Sequence, residues 1–380
     1  MASKFQKEAK IVKNDEFYTQ YHDIEKEMNA YLEYNPNIFR GKTVLLPCDD
    51  PYESNFFKYF ALRFIDFGLK KLIATCCDGS QISNRELSLF DDESTENKTT
   101  LKAHKLILND PPDFNEVTNV NLPNVKEILS DKHHVIRLKG NGDFRSDEVK
   151  ALRDETDFII TNPPFSLFRE FLAWIVEANK KFIIIGNINA ITYKEVFPLI
   201  KDIKVWLGPS ITSGDREFII PANIVDKNKF TGEVRKNENG ENIYYQKVVG
   251  VRWFTNVDHG RRYEPLPLMT MADNIKFSKH KEIRGKEYQK YHNYDAIEVP
   301  YVDAIPNDYS GAMGVPISIL DKYNPDQFEI LGSNLTVGTP MSEIADKGTY
   351  DQGGPSFYTA NDDNTFKRIY TRIIIKHKRA

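Results

Sequence analysis

The residues with the clearest chemistry are Asn162-Pro163-Pro164-Phe165, which follow the apolar run DFIIT. A tetrad of the form [NDS]-P-P-[YFW] suits methylation of a planar amino nitrogen. The lone pair of an aromatic amine is delocalised into its ring, so the nitrogen is a poor nucleophile until it is drawn toward sp³ geometry. Two acceptors aimed at its N–H bonds do this: the Asn162 side-chain oxygen and the Pro163 carbonyl. Proline has no N–H and a fixed φ, which helps hold a turn that points both oxygens at one spot. Phe165 offers a flat face for a stacked base, worth ~1–3 kcal/mol. No strong base is needed, because the methylated amine is acidic enough to lose its proton to water. The site has to hold nitrogen and methyl in line at ~3–3.5 Å. A proline-rich turn after a core strand would read similarly. The buried strand before the tetrad, the helical pattern after it and the aromatic in fourth place favour methyl transfer.

A second cluster, Cys48-Asp49-Asp50-Pro51 with Ser54, Asn55 and Phe56, follows the apolar run KTVLL. In a doubly wound sheet, ligands sit at the carboxyl ends of the strands beside the topological switch point. An acidic residue there suits the methionine ammonium of S-adenosylmethionine, and a helix N-terminus suits its carboxylate. The absence of GxGxxG argues against a dinucleotide. A helix cap at Asp49 or Asp50, or a pair of metal ligands, would use the same letters. Asp143, in NGDF, is a third candidate: a carboxylate that can accept from an adenine amine, with Phe144 flanking the ring. Asp15, Phe17, Tyr18 and Thr19 form a fourth element, which either closes over the methionine end of the cofactor or simply starts a helix. His133 and His134 lack a partnering carboxylate or metal pattern. Cys48, Cys76 and Cys77 contain no CxxC pair, so neither a disulfide framework nor a metal site is expected.

The elements that must position these residues alternate. Residues 42–50 read as a buried strand, 56–68 as an amphipathic helix closed by Gly68, and 69–76 as a second strand. This strand–helix–strand unit is the building block of a doubly wound α/β sheet. A helix is expected within 16–34, strands at 134–140, 156–165 and 180–191, and a helix at 166–180. Residues 79–132 read as a polar insertion with one hairpin strand, His104–Leu108. Beyond Trp206 the alternation stops, and short strand-like segments such as EFIIP and YYQKVVGVRWFTN take over. The pattern therefore divides the chain into 1–205, carrying the cofactor and amine motifs, and a second module over 206–380.

A chain of 380 residues has room for a catalytic domain and a second module. No apolar run approaches the ~20 residues of a membrane span. The N-terminal residues lack the apolar core of a secretory signal, so the expected location is the cytoplasm. The net charge of −4 is unevenly spread: residues 226–290 hold 14 Lys/Arg against 9 Asp/Glu, and the last sixteen residues hold six basic and no acidic residues. Such a distribution fits either a nucleic-acid face or a solvated charged surface. On the first reading Arg252, Arg261, Arg262, Lys367, Arg368 and Arg372 are candidates for phosphate or base-edge contacts.

The order of the motifs DEFYTQYHDIE, CDDPYESNFFKYF, GNGDFRS, TNPPFSLFRE, KKFIIIGN, ITYKEVF and GVPISILDKYNPDQFEI resembles that of the EcoRI-type adenine-specific DNA methyltransferases. The resemblance is densest in 15–70 and 140–208. It implies a Rossmann-like class I methyltransferase fold with a mixed, mostly parallel sheet and a C-terminal target-recognition module. It also implies S-adenosylmethionine as donor, and methylation at N6 of an adenine flipped out of double-stranded DNA. Carried over, Asp49, Asp50, Pro51, Ser54 and Phe56 belong to the cofactor loop, Asp143 lies near the cofactor adenine, and Asn162 to Phe165 form the catalytic tetrad. The CDDP sequence replaces the usual phenylalanine–glycine cofactor loop. The resemblance further suggests a monomer, with any cognate restriction endonuclease a separate protein. Rival readings are methylation of cytosine N4, of ribosomal guanine or of protein glutamine, and a DNA-binding protein that has lost catalysis. Ser-Pro-Pro is the commoner tetrad for cytosine, and the intact NPPF speaks against lost catalysis.

Overall fold

The structure, a computed structural model, describes residues 19–49, 54–77, 103–109, 135–212, 214–220, 225, 230–237 and 240–378. The chain divides into two compact units, Met1–Val196 with Leu207–His259, and Phe197–Trp206 with Gly260–Ala380.

The first unit is built on strands whose side chains are apolar on both faces, as a sheet covered on both sides requires. These are β1 (Thr43–Leu46), β2 (Lys71–Cys76), β5 (Phe158–Thr161) and β6 (Lys181–Asn187). They run parallel to one another in the order β2-β1-β5-β6. β3 (His104–Leu108) and β4 (Val135–Arg137) extend the sheet antiparallel beyond β2. Beyond β6 follow β11 (Val251–Thr255), antiparallel, and β7 (Trp206–Leu207), giving eight strands in all. From β1 the chain first moves to β2 on one side and later returns with β5 on the other. The switch point of this α/β sheet is therefore the crevice at the carboxyl ends of β1 and β5.

Helices fix the loops at those ends. α1 (Tyr21–Tyr34) buries Ile24, Met28 and Tyr31. After β1, α2 (Asn55–Leu62) is capped by Ser54, whose Oγ accepts from Phe56 N and Phe57 N. The single helix expected over 56–68 is broken at Arg63, and α3 (Phe64–Phe67) completes it, ending at Gly68 with φ 60°, a left-handed close that glycine adopts without strain. Phe60 and Phe67 each lie 5.4 Å, ring to ring, from Phe39, which is 5.2 Å from Phe158 of β5. Burial of each such ring contributes ~1.5–3 kcal/mol, which fastens the segment after β1 to the sheet. α4 (Asp147–Glu155) was not anticipated from the sequence. Ser146 caps it and Asp147 and Glu148 occupy its first turn, both favourable at a helix N-terminus. α5 (Phe168–Glu177) follows a 3-10 turn at Phe165–Leu167.

The structure divides the chain differently from the expected boundary at 205. The VRWFT segment, expected in the second module, is β11 of the central sheet and is buried throughout, with Trp253 opposite Ile185 of β6. Apolar side chains on both faces suit an interior strand better than a half-exposed one. Between β7 and β11, β8 (Arg216–Ile220), β9 (Glu233–Lys236) and β10 (Asn242–Val248) form a small antiparallel sheet in the order β8-β10-β9.

The second unit contains α6 (Phe197–Lys201), α7 (Met271–Phe277) and a four-stranded sheet, β12-β13-β17-β14. Its strands are β12 (Ile297–Glu298), β13 (Met313–Pro316), β14 (Phe328–Ser333) and β17 (Arg372–His377). A two-stranded ribbon, β15 (Tyr358–Ala360) and β16 (Phe366–Arg368), lies in the same unit, where Tyr291, Phe357 and Ile374 share a core. Among the described residues no helix is long and apolar enough to cross a membrane.

Candidate active site

β1 leads through Pro47 and Cys48 to Asp49, which is buried at 7% exposure. One oxygen of its carboxylate accepts from Ser54 Oγ at 2.6 Å, and the other accepts from Thr161 Oγ1 at 2.6 Å. The Asp49 backbone N–H donates to Thr75 O of β2 at 3.1 Å. One carboxylate thus joins the end of β1, the cap of α2 and the last residue of β5. The next residue is Asn162. Sequence reasoning did not single out Thr161; its only local signal is a hydroxyl closing an otherwise apolar strand. At the same corner, Asn55 Nδ2 donates to Thr19 O at 2.8 Å. Thr19 is itself buried, and among the described residues its Oγ1 has no hydrogen-bond partner.

The tetrad turns away from the sheet immediately after Thr161. Asn162 is half-buried and Pro163 buried. The Pro164 carbonyl accepts from Leu167 N at 2.9 Å, which starts the 3-10 turn. Phe165 is half-buried and packs on the main core. Below the turn, a Cβ on Gly186 at the end of β6 would lie 2.4 Å from the Phe168 ring, so only glycine lets α5 pack this closely.

The NGDF loop also reaches this end of the sheet. Gly142 has φ +74°, and a Cβ there would come within 2.3 Å of Cys76 O at the end of β2. Asp143 accepts from Arg145 N and Nε, each at 2.8 Å, and from Arg145 Nη2 at 2.6 Å. These bonds from the guanidinium hold the Asp143 carboxyl below the usual carboxylate range, so it stays ionised. Arg145 in turn donates to Glu170 of α5 at 2.8 Å. Phe144, expected to flank an adenine ring, is a core residue at 4% exposure, 5.0 Å from the Phe171 ring and 5.5 Å from Trp174. Phe56 is likewise interior, 5.9 Å from Trp253. Cys48 is half-buried. Asp15, Phe17, Tyr18, Asp50 and Pro51 lie outside the described residues. Among the described residues, no His, Cys, Asp and Glu group of three or more is placed to hold a metal.

The six arginines and lysines picked out as nucleic-acid contacts are disposed unequally. Arg252 lies in β11 at 6% exposure and donates to the carbonyls of Val251 and Thr212, at 2.8 and 2.9 Å. Arg262 is 7% exposed, with its guanidinium 3.5 Å from the centre of the Trp206 ring. Arg372 donates to Glu298 from Nη2 at 2.6 Å and from Nε at 3.1 Å. These three head groups are spent inside the fold, where solvent-facing charge was expected. Arg261, Lys367 and Arg368 are exposed, although Arg368 Nε donates to Ser356 Oγ at 2.7 Å. Lys276, Lys281, Arg284 and Lys286, in and after α7, are also exposed. Lys276 Nζ stands 4.9 Å over the ring of Phe277, which is itself 61% exposed.

A family model described as adenine-specific methyltransferase EcoRI matches residues 5–378. The chain is 39% identical to the type II methyltransferase M.EcoRI of Escherichia coli, over 98% of this chain and 95% of that protein. It is 33% identical to the type II methyltransferase M.MpnI of Mycoplasma pneumoniae over 97% of both chains. It is 31% identical to M.MgeORF184P of Mycoplasma genitalium, again over 97% of both. No solved structure matches. With the tetrad at the switch point of an α/β sheet and the family match running almost end to end, the chain belongs to the EcoRI family of adenine-specific methyltransferases.

Proposed function

We propose that the protein transfers a methyl group from S-adenosylmethionine to N6 of an adenine in duplex DNA. The observation that carries this reading is Asn162-Pro163-Pro164-Phe165 at the carboxyl end of β5, beside the end of β1, in a chain of this family. Asn162 and the Pro163 carbonyl accept from the amine N–H bonds, and Phe165 supports the base. A base inside a duplex cannot present its amino group, so the adenine leaves the stack, at a cost of a few kcal/mol. S-adenosylmethionine supplies an electrophilic methyl group. The residues around the switch point suit it: Thr19 brings a buried hydroxyl without a described partner, and Asp143 an ionised carboxylate. Asp15, Phe17, Tyr18, Asp50 and Pro51 complete the same cofactor segment in this reading.

The catalytic part is the first compact unit, and target recognition falls to the second. The protein works in the cytoplasm as a monomer, and any cognate restriction endonuclease is a separate chain. Incubation with duplex DNA and labelled S-adenosylmethionine, followed by digestion to nucleosides and mass spectrometry, should yield N6-methyladenine. Label in N4-methylcytosine or in protein would replace the base assignment, and no transfer to DNA would overturn the reading.

The exposed cations make a separate prediction. Each phosphate neutralised by Lys or Arg adds about 0.9 to the slope of log affinity against log salt. Changing Lys281, Arg284 and Lys286 together to alanine should weaken specific and non-specific duplex binding alike and lower the slope by about 2–3. The same measurement on Arg261→Ala and Lys367→Ala ranks the remaining candidates. Fluorescence anisotropy at several salt concentrations reads the slope, and an unchanged value removes this segment from the DNA face.

A further inference from the structure

We propose that Asp49 is a positioning residue for methyl transfer: its carboxylate, acting through the Thr161 hydroxyl, sets where Asn162 stands relative to the start of α2. This rests on the function proposed above and assigns Asp49 a task that its place in a cofactor loop does not suggest.

Three observations carry it. The first is that both oxygens of a buried carboxylate accept from hydroxyls, each at 2.6 Å, the short range of O–H bonds to an ionised acceptor. A charge is buried at this cost only where its bonds are well made, and two hydroxyl donors with directed O–H bonds fix its orientation. The second is the position of Thr161. It is the last residue of β5 in register with β6, opposite Ile184, so Asn162 is the first residue beyond the ladder. The Thr161 side chain is therefore the last fixed point before the tetrad. The third is Ser54, which donates to Asp49 and accepts from Phe56 N and Phe57 N. The carboxylate is thereby joined through one hydroxyl to the N-terminus of α2 and through another to the residue before Asn162. The two halves of the crevice, one on each side of the switch point, are set by a single group.

Positioning is costly to lose, since a displacement of about 1 Å can slow a reaction ~10²-fold. Thr161→Val keeps the shape and removes the donor, whereas Thr161→Ser keeps the donor. In single-turnover methylation of duplex DNA with labelled S-adenosylmethionine, Thr161→Val is expected to be ~10–100-fold slower than wild type, with Thr161→Ser restored to within a few-fold. Affinities for DNA and for the cofactor, measured by anisotropy and calorimetry, should stay within a few-fold in both. Asp49→Asn, which keeps one acceptor oxygen, should slow transfer in the same way. If Thr161→Val does not fold, Thr161→Ala removes the hydroxyl without adding a methyl and is read identically. A merely structural bond would lower the melting temperature of Thr161→Val and leave its rate per folded molecule at the wild-type value. That result overturns the inference and leaves the proposed function standing, whereas a wild-type protein that transfers no methyl to DNA overturns both.

Discussion

Replacing Asn162 with alanine is expected to slow methyl transfer to duplex DNA by ~10²-fold or more, the loss seen when one preorganised partner of a developing charge is removed. In the proposed reaction the amide oxygen accepts from the adenine amine as the nitrogen moves toward sp³, an interaction that strengthens on the way to the transition state. The change should therefore fall on the rate constant and leave the affinities for DNA and cofactor close to those of the wild type. Asn162 leaves β5 at the point where the ladder ends, and it is half-buried. Single-turnover kinetics with labelled cofactor measures the effect. A rate near that of the wild type would remove Asn162 from the reacting centre and with it the assignment of the tetrad.

Arg372→Ala is expected to cost about 3–5 kcal/mol of stability, because it leaves a buried carboxylate without its cation. Glu298 is 8% exposed and accepts from Arg372 and from the Tyr291 hydroxyl. Burial, and then the neighbouring Glu298 carboxylate, push the Tyr291 hydroxyl far above its ordinary range, so it remains a donor to Glu298 at any ordinary pH. Replacing Glu298 with glutamine and Arg372 with methionine together should cost less than Arg372→Ala alone, since no uncompensated charge is left. Urea unfolding of the whole protein compares the variants. The salt slope of DNA binding should match the wild type in all of them. An Arg372→Ala protein that unfolds like the wild type but binds DNA with a lower slope would return Arg372 to the DNA face, where its sequence context first suggested it.

Much of the architecture was legible because it is written locally. The runs that form β1, β5 and β6 have apolar interiors (VLL, FII and FIII), and the strand His104–Leu108 stands out inside a polar insertion. α4 was missed because only Val149 and Leu152 are its buried apolar residues, and its charged remainder obscures the periodicity; the cap and acidic first turn were the available signals. The membership of β11 could not be read, because its partner lies 64 residues earlier, Asn187 opposite Val251. The site shows the same limit. The letters reveal an acid after β1 and a proline tetrad after β5, but not that Asp49 meets Thr161 across 112 residues. Charge patterning located the arginines; it could not tell Arg372, paired with Glu298 at a separation of 74 residues, from a cation facing solvent.

The pairing of β6 with β11 bears on how the chain is made. Synthesis delivers β6 with one long edge unsatisfied, and its partner emerges only after residues 188–250. At about 5–20 residues per second, the nascent protein exposes that apolar edge for roughly 3–13 s. An open strand edge is a template for pairing with other chains, and closing so long a loop delays the native contact that would cover it. The first unit is therefore finished late, by a strand encoded beyond the region where the alternation of strand and helix has already stopped. The vulnerable interval in the life of this protein falls on the ribosome, between the appearance of Ile185 and the arrival of Trp253.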